Sequence, residues 1–112
     1  MAVPETDLAR IARFCDAQVP PEMRDQVRVE MRRRGATVTI VECRPAWISD
    51  PEAEWMELPQ ARMKYDAEER GWTLYWFDRN SKAHRYELLA AHQPIARLLD
   101  EYDRDPTCIF KG

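Results

Sequence analysis

The chain has little of what marks the commonest catalytic and membrane architectures. Three glycines in 112 residues are too few and too scattered for a loop that wraps a phosphate in backbone N–H groups. Two histidines, His84 and His92, and three cysteines, Cys15, Cys43 and Cys108, lie without ligand spacing, so they define no zinc site. No C-x-x-C pair is present. An odd, sparse cysteine count belongs to a reducing cytosol rather than to a disulfide-stapled scaffold. No apolar run approaches the roughly 18 residues a membrane span requires. The opening MAVPETDLAR has neither the basic nor the apolar region of a secretory signal. No Ser or Cys stands in a nucleophile motif with a His. The expectation is a cytoplasmic protein with no membrane segment, cofactor, metal or standard catalytic machinery.

What is present fits one domain, 1–112, of ordinary soluble composition. Charged residues make up 33% and apolar ones 45%, which excludes disorder by composition. The formal net charge is −3, which argues against a general nucleic-acid binder, since Lys and Arg supply most non-specific affinity. A local basic patch is compatible with that total.

Leu8, Ile11, Ala12 and Cys15 follow helical spacing, so residues 7–18 read as a helix, started by Thr6 or Asp7 and ended by Pro20-Pro21. In 26–34, Val27, Val29 and Met31 alternate with Arg28, Glu30 and Arg32, the pattern of a half-buried strand. Gly35 supplies a turn, and the β-branched TVTIVEC of 37–43 returns as the second strand of a hairpin. Residues 45–59 read as a long proline-bounded loop, compatible with a short helix over 51–56. Three strands are then expected near 61–66, 72–77 and 83–88. Arg62 to Leu88 carries six of the eleven Phe, Trp and Tyr residues, a density that favours a twisted antiparallel meander. Pro94 opens a final helix with Ile95, Leu98, Leu99 and Tyr102 as its apolar stripe. The architecture is α+β: an N-terminal helix, a five-stranded antiparallel sheet (hairpin plus three-strand meander) and a C-terminal helix.

The register of the last hairpin sorts its residues between two faces, because a slip of one residue exchanges them. With Asn80 left-handed in an odd-length loop, Trp76 pairs near His84. Trp72, Leu74, Trp76, His84, Tyr86 and Leu88 then face the core, joined by Met63 and Tyr65. Arg62, Lys64, Thr73, Tyr75, Phe77, Arg85 and Glu87 show on the other side. An even-length loop would instead bring Tyr75 and His84 together.

The candidate binding residues are Glu42, Arg44, Trp47, Arg62, Lys64, Tyr75 and Arg85. Glu42 shares the parity of Val38 and Ile40, so a partly buried carboxylate there wants an arginine, with Arg44, Arg62 and Arg85 as candidates. The structural reading is an ion pair that fixes the loop; the functional one is anion or ligand binding. Glu42 with Lys64 invites comparison with metal-dependent nucleases, but Glu42-x-Arg44 replaces the Glu-x-Lys such sites use, and Arg is a poor substitute. Aromatic residues beside Arg and Lys on a sheet can stack unpaired bases, while the same polar face can anchor a protein partner.

The segment VTIVECRP (38–45), the run WTLYW (72–76), His84-Arg85-Tyr86 and the ending around Phe110 together resemble domain-of-unknown-function family 3024, small bacterial proteins without an assigned activity. The resemblance implies that Glu42, Arg44, Pro45, Trp72, Tyr75, His84 and Tyr86 belong to the family pattern. The leading expectation is a small cytoplasmic binding or protein-interaction domain without catalysis, with a homodimer compatible through an exposed strand edge. The alternative is single-stranded nucleic-acid binding on the aromatic–basic face, and a metal-dependent nuclease-like enzyme stands further behind.

Overall fold

The computed structural model describes residues 3–46 and 54–111. Its order is α1 (Glu5–Ala17), a 3-10 turn (Pro21–Met23), β1 (Arg28–Arg34), β2 (Thr37–Pro45), β3 (Trp55–Asp66), β4 (Gly71–Phe77), β5 (Ala83–Arg85) and α2 (Ile95–Arg104). The five strands form one antiparallel sheet in sequence order, β1-β2-β3-β4-β5. No described helix is long and apolar enough to cross a membrane.

Alternation along the strands puts Val38, Ile40, Ala61, Met63, Trp72 and Leu74 on one side, all buried. Both helices pack there: Ile11 and Cys15 of α1, and Ile95, Leu98, Leu99 and Tyr102 of α2, join the same apolar cluster. The helical stripe expected for α2 is therefore its buried face. The expected start of α1 is corrected. It begins at Glu5 after Pro4, and no side chain caps it. Asp7 accepts instead from Trp72 Nε1 at 2.9 Å, tying the helix to β4.

The strand-and-loop boundaries differ from the sequence reading around Pro45–Pro59. β2 runs through to Pro45 because the first half of β3 pairs with it, from Val41↔Pro59 to Pro45↔Trp55. Trp55 and Met56 are thus strand, not helix, while 51–53 fall outside the described residues. The backbone groups of β2 need partners, and two features let a proline-containing segment provide them. The pairing with β4 extends only to Ala61↔Trp76, so Pro59 sits where β3 has a free edge, which tolerates a missing N–H. The register also shifts between Ile40 and Val41, leaving Gln60 as the extra residue of a bulge.

The last hairpin adopts the odd-length register: Tyr75↔Arg85, Trp76↔His84 and Phe77↔Ala83. Its left-handed residue is Ser81 (φ 61), not Asn80. Asp78 explains this, since its carboxylate accepts from the backbone N–H of Asn80 at 2.8 Å and of Lys82 at 3.0 Å. That Asx geometry sets the chain direction and displaces the positive φ by one residue. β5 is shorter than expected: Tyr86 N–H still reaches Leu74 O at 2.9 Å, but the chain then turns, exposing Leu88 and burying Leu89. It returns beside β4, where Trp72 and Gln93 exchange two backbone bonds of 2.8 Å. A Cβ on Gly71 would come within 2.3 Å of the His92 carbonyl carbon, so this approach requires glycine.

Candidate functional site

With both helices on one side of the sheet, the opposite side is covered by neither, and the His92 backbone closes only its Gly71–Thr73 corner, where His92 N–H donates to the buried Thr73 Oγ1 at 3.3 Å. Antiparallel partners share a face, and the pairings assemble a row across all five strands: Arg32, Thr39, Arg62, Tyr75 and Arg85. A second row beside it contains Arg34, Thr37, Lys64 and Thr73. Arg62, Lys64, Tyr75 and Arg85, each a candidate from the sequence, therefore stand together on one surface. The guanidinium of Arg62 lies over Phe77 (5.1 Å to the ring centre) and the Lys64 ammonium over Tyr75 (4.8 Å). Each contact is attractive through the ring quadrupole. It also holds a long side chain flat on the sheet with its charge presented outward.

The face has two distinct halves. Toward the far ends of β1 and β3, Arg28 stacks on Trp55 at 4.1 Å. Arg32 there bridges Glu30 (2.8 Å) and Glu57 (2.6 Å), and Val41 and Cys43 are buried among these groups. That half is neutralised and closed. Toward the β1–β2 turn, Arg32, Arg33, Arg34, Thr37, Thr39, Arg62 and Lys64 line a cavity of about 570 Å³ with no carboxylate in its wall. Arg62 Nε is buried there and has no hydrogen-bond partner, although an unpaired buried donor is costly.

Glu42 and Arg44 are not part of this surface. They lie on the helix side of β2, where Arg44 Nε meets Glu42 Oε1 at 2.5 Å and Gln60 Nε2 donates to Glu42 Oε2 at 3.2 Å. Tyr102 in turn donates to Gln60 Oε1, so the bulge residue links α2 to the Glu42–Arg44 pair. Of the three arginines considered for Glu42, Arg44 is the partner; Arg62 and Arg85 face the other way. Glu42 and Lys64 likewise occupy opposite faces and share no site. Trp47 lies outside the described residues.

The remaining polar contacts are those of a folded frame. Tyr86 donates to Glu101 at 2.7 Å and Arg104 meets Glu101 at 3.1 Å; burial, then the Glu101 bond, pushes the Tyr86 phenol up to about 12. His84 stacks on Trp76 (4.7 Å) and reaches Asp78 at 2.7 Å. That bond, with two backbone N–H donors, holds the Asp78 carboxyl down at about 2. Burial pushes the Cys15 thiol up to about 12 and raises that of Cys43, so neither is a nucleophile near neutral pH. Among the described residues no three His, Cys, Asp or Glu side chains are placed to hold a metal.

Sequence reasoning missed Arg34, Thr37, Thr39 and the Arg62 orphan donor. The signal for the first was available: Arg32 and Arg34 carry the outward parity of β1. Their neighbours Arg62 and Lys64, however, lie some thirty residues on in the sequence and meet them only through the β2–β3 register.

A family model described as Domain of unknown function (DUF3024) matches residues 2–112. No curated protein and no solved structure matches the chain.

Proposed function

The chain belongs to the DUF3024 family, whose description assigns no activity, and from the geometry we propose that it is a bacterial, cytoplasmic binding module without catalysis that takes single-stranded nucleic acid on the open sheet face. The observation that carries this is the five-strand row Arg32–Thr39–Arg62–Tyr75–Arg85 on the side away from both helices. A sheet that alternates cations with aromatic rings supplies the two things an unpaired strand needs: neutralisation of phosphates and planes for bases. The net charge of −3 is no obstacle, because the cations gather on one half of one face. Free, buried Cys15 and Cys43 support a reducing compartment.

The test is binding of short single-stranded RNA and DNA, followed by fluorescence anisotropy, against a duplex of the same sequence. Single strands should bind at least about tenfold more tightly than the duplex. Tyr75→Ala should cost roughly 1–3 kcal/mol of binding, the range for one stacked base. Equal affinity for duplex and single strand, or no effect at Tyr75, would sink the reading.

A protein-partner surface is favoured by a separate observation. Met56 and Leu58 are exposed on β3 directly opposite Arg44 and Glu42, giving an apolar pair rimmed by a salt bridge. A homodimer through the β1 edge is less favoured, since it would bring two arginine-rich strands together. Met56→Asp should abolish binding to a protein partner while leaving nucleic-acid affinity unchanged, as read by pull-down and anisotropy on the same variant.

A further inference from the structure

We propose that the cavity at the β1–β2 turn is a site for a terminal phosphate monoester, so that the module holds the phosphorylated end of a single strand. This rests on the nucleic-acid reading of the open face and adds which part of the ligand goes where. Of the arginines that line the cavity, Arg32 is already engaged by Glu30 and Glu57, and Arg33 donates from Nε to the Gly35 carbonyl at 3.0 Å. Arg34, Arg62 and Lys64 remain, with no ion pair among the described residues, together with the Thr37 and Thr39 hydroxyls. Three uncommitted cations without a carboxylate in the wall are poorly matched by an internal diester, which carries one charge. A terminal monoester carries about −1.5 to −2 and three acceptor oxygens, and so answers them better.

The donor geometry agrees. Arg62 enters no hydrogen bond or ion pair among the described residues, its Nε included, and a guanidinium with free N–H groups donates in a paired arrangement to two oxygens of one phosphate. The same cations lie over the Phe77 and Tyr75 rings. A phosphate seated on Arg62 and Lys64 therefore places its own nucleoside next to those rings, where stacking adds to the charge term. One end of the strand would be fixed in the cavity and the chain would run along the row toward Arg85.

The experiment compares one oligonucleotide of about ten nucleotides in three forms: 5′-phosphorylated, 3′-phosphorylated, and hydroxyl at both ends. Affinities are measured by competition anisotropy at one salt concentration, with a phosphoserine peptide as a fourth competitor. One phosphorylated form should bind about tenfold or more tightly than the hydroxyl form, and the two arms identify which end. Arg34 is exposed, so Arg34→Ala leaves folding intact; it should remove most of that preference, because the phosphorylated form loses much more affinity than the hydroxyl form does. Lys64→Gln should do the same. Tight but equal binding of all three oligonucleotides would overturn the terminal site and leave the binding face standing. A preference that survives Arg34→Ala and Lys64→Gln would overturn the placement. Binding of the phosphopeptide as tightly as the oligonucleotide would overturn the nucleic-acid identity of the ligand. Failure of every oligonucleotide to bind would overturn the underlying reading itself.

Discussion

Replacing Arg62 and Lys64 together by alanine removes half of the uncommitted cations on the open face. Arg34, Arg62, Lys64 and Arg85 enter no ion pair among the described residues, whereas Arg32 is held by Glu30 and Glu57. If each of the four neutralises about one negative charge of the bound strand, a terminal monoester counting for up to two, log K should fall with log salt at a slope of roughly −2.8, about −0.7 per charge. Raising monovalent salt from 50 to 200 mM then weakens binding about 50-fold. The double variant keeps Arg34 and Arg85, so its slope should be roughly −1.4 and the same change in salt should cost about sevenfold. The assay is anisotropy of a labelled oligonucleotide across a KCl series. Circular dichroism of the variant checks the fold, since Arg62 is half-buried and packs on Phe77. A parent slope shallower than about −1, or a slope the double variant leaves unchanged, would refute the assignment of these cations to phosphate contacts.

Other consequences concern the frame. Gly71→Ala drives a Cβ into the His92 backbone and should destabilise by about 3 kcal/mol, the upper end for overpacking, seen as a lower Tm with an unshifted denaturant m-value; Gly35→Ala (φ +60, open space around it) should cost only about 1–2 kcal/mol. Asp78 titrates at about 2, below its ordinary value, chiefly because His84 bonds it and then because Lys82 and Asn80 donate backbone N–H groups. A depressed carboxyl contributes stability above its unfolded value and loses it as pH falls, so the turn should loosen between about pH 4 and pH 2. NMR titration of His84→Leu should show the Asp78 value moving up toward the usual carboxylate range. Cys108 is exposed while Cys15 and Cys43 are buried, with thiols raised to about 12 and upward respectively; a thiol reagent at pH 8 should therefore label one cysteine quickly in the native protein and the other two only after unfolding.

Much of the architecture was legible in the sequence because it is written in short-range periodicity. Alternation of Val27, Val29 and Met31 with Arg28, Glu30 and Arg32, the β-branched run after Gly35, and the Ile95–Leu98–Leu99–Tyr102 stripe each encode an element within a dozen residues. The register of the last hairpin also followed from local chemistry, although Asp78 moved the left-handed position from Asn80 to Ser81 by bonding the loop backbone. The first half of β3 was not legible. Pro59, Glu57 and the proline-bounded, acidic stretch before them read as loop, and only the unpaired backbone of β2 makes it a strand. The same bulge places Gln60 between Glu42 and Tyr102, a contact across three elements that no sequence window contains.

The candidate residues divide along that line. Parity within β3 put Arg62 and Lys64 on one side, and parity combined with the odd-length register of the last hairpin put Tyr75 and Arg85 on one side. Parity also separated Trp72, Leu74 and Trp76 from them. Whether that side is open was decided only in three dimensions, by α1 and α2 both packing on the Trp72–Leu74 face. Tertiary pairing alone brought Arg34 and Thr37 beside Lys64, turned Glu42 and Arg44 away from Arg62, and left Arg62 Nε without a partner. The residue types and their faces are local facts of the chain; the surface they form depends on which strands meet and on where the helices find their apolar contacts.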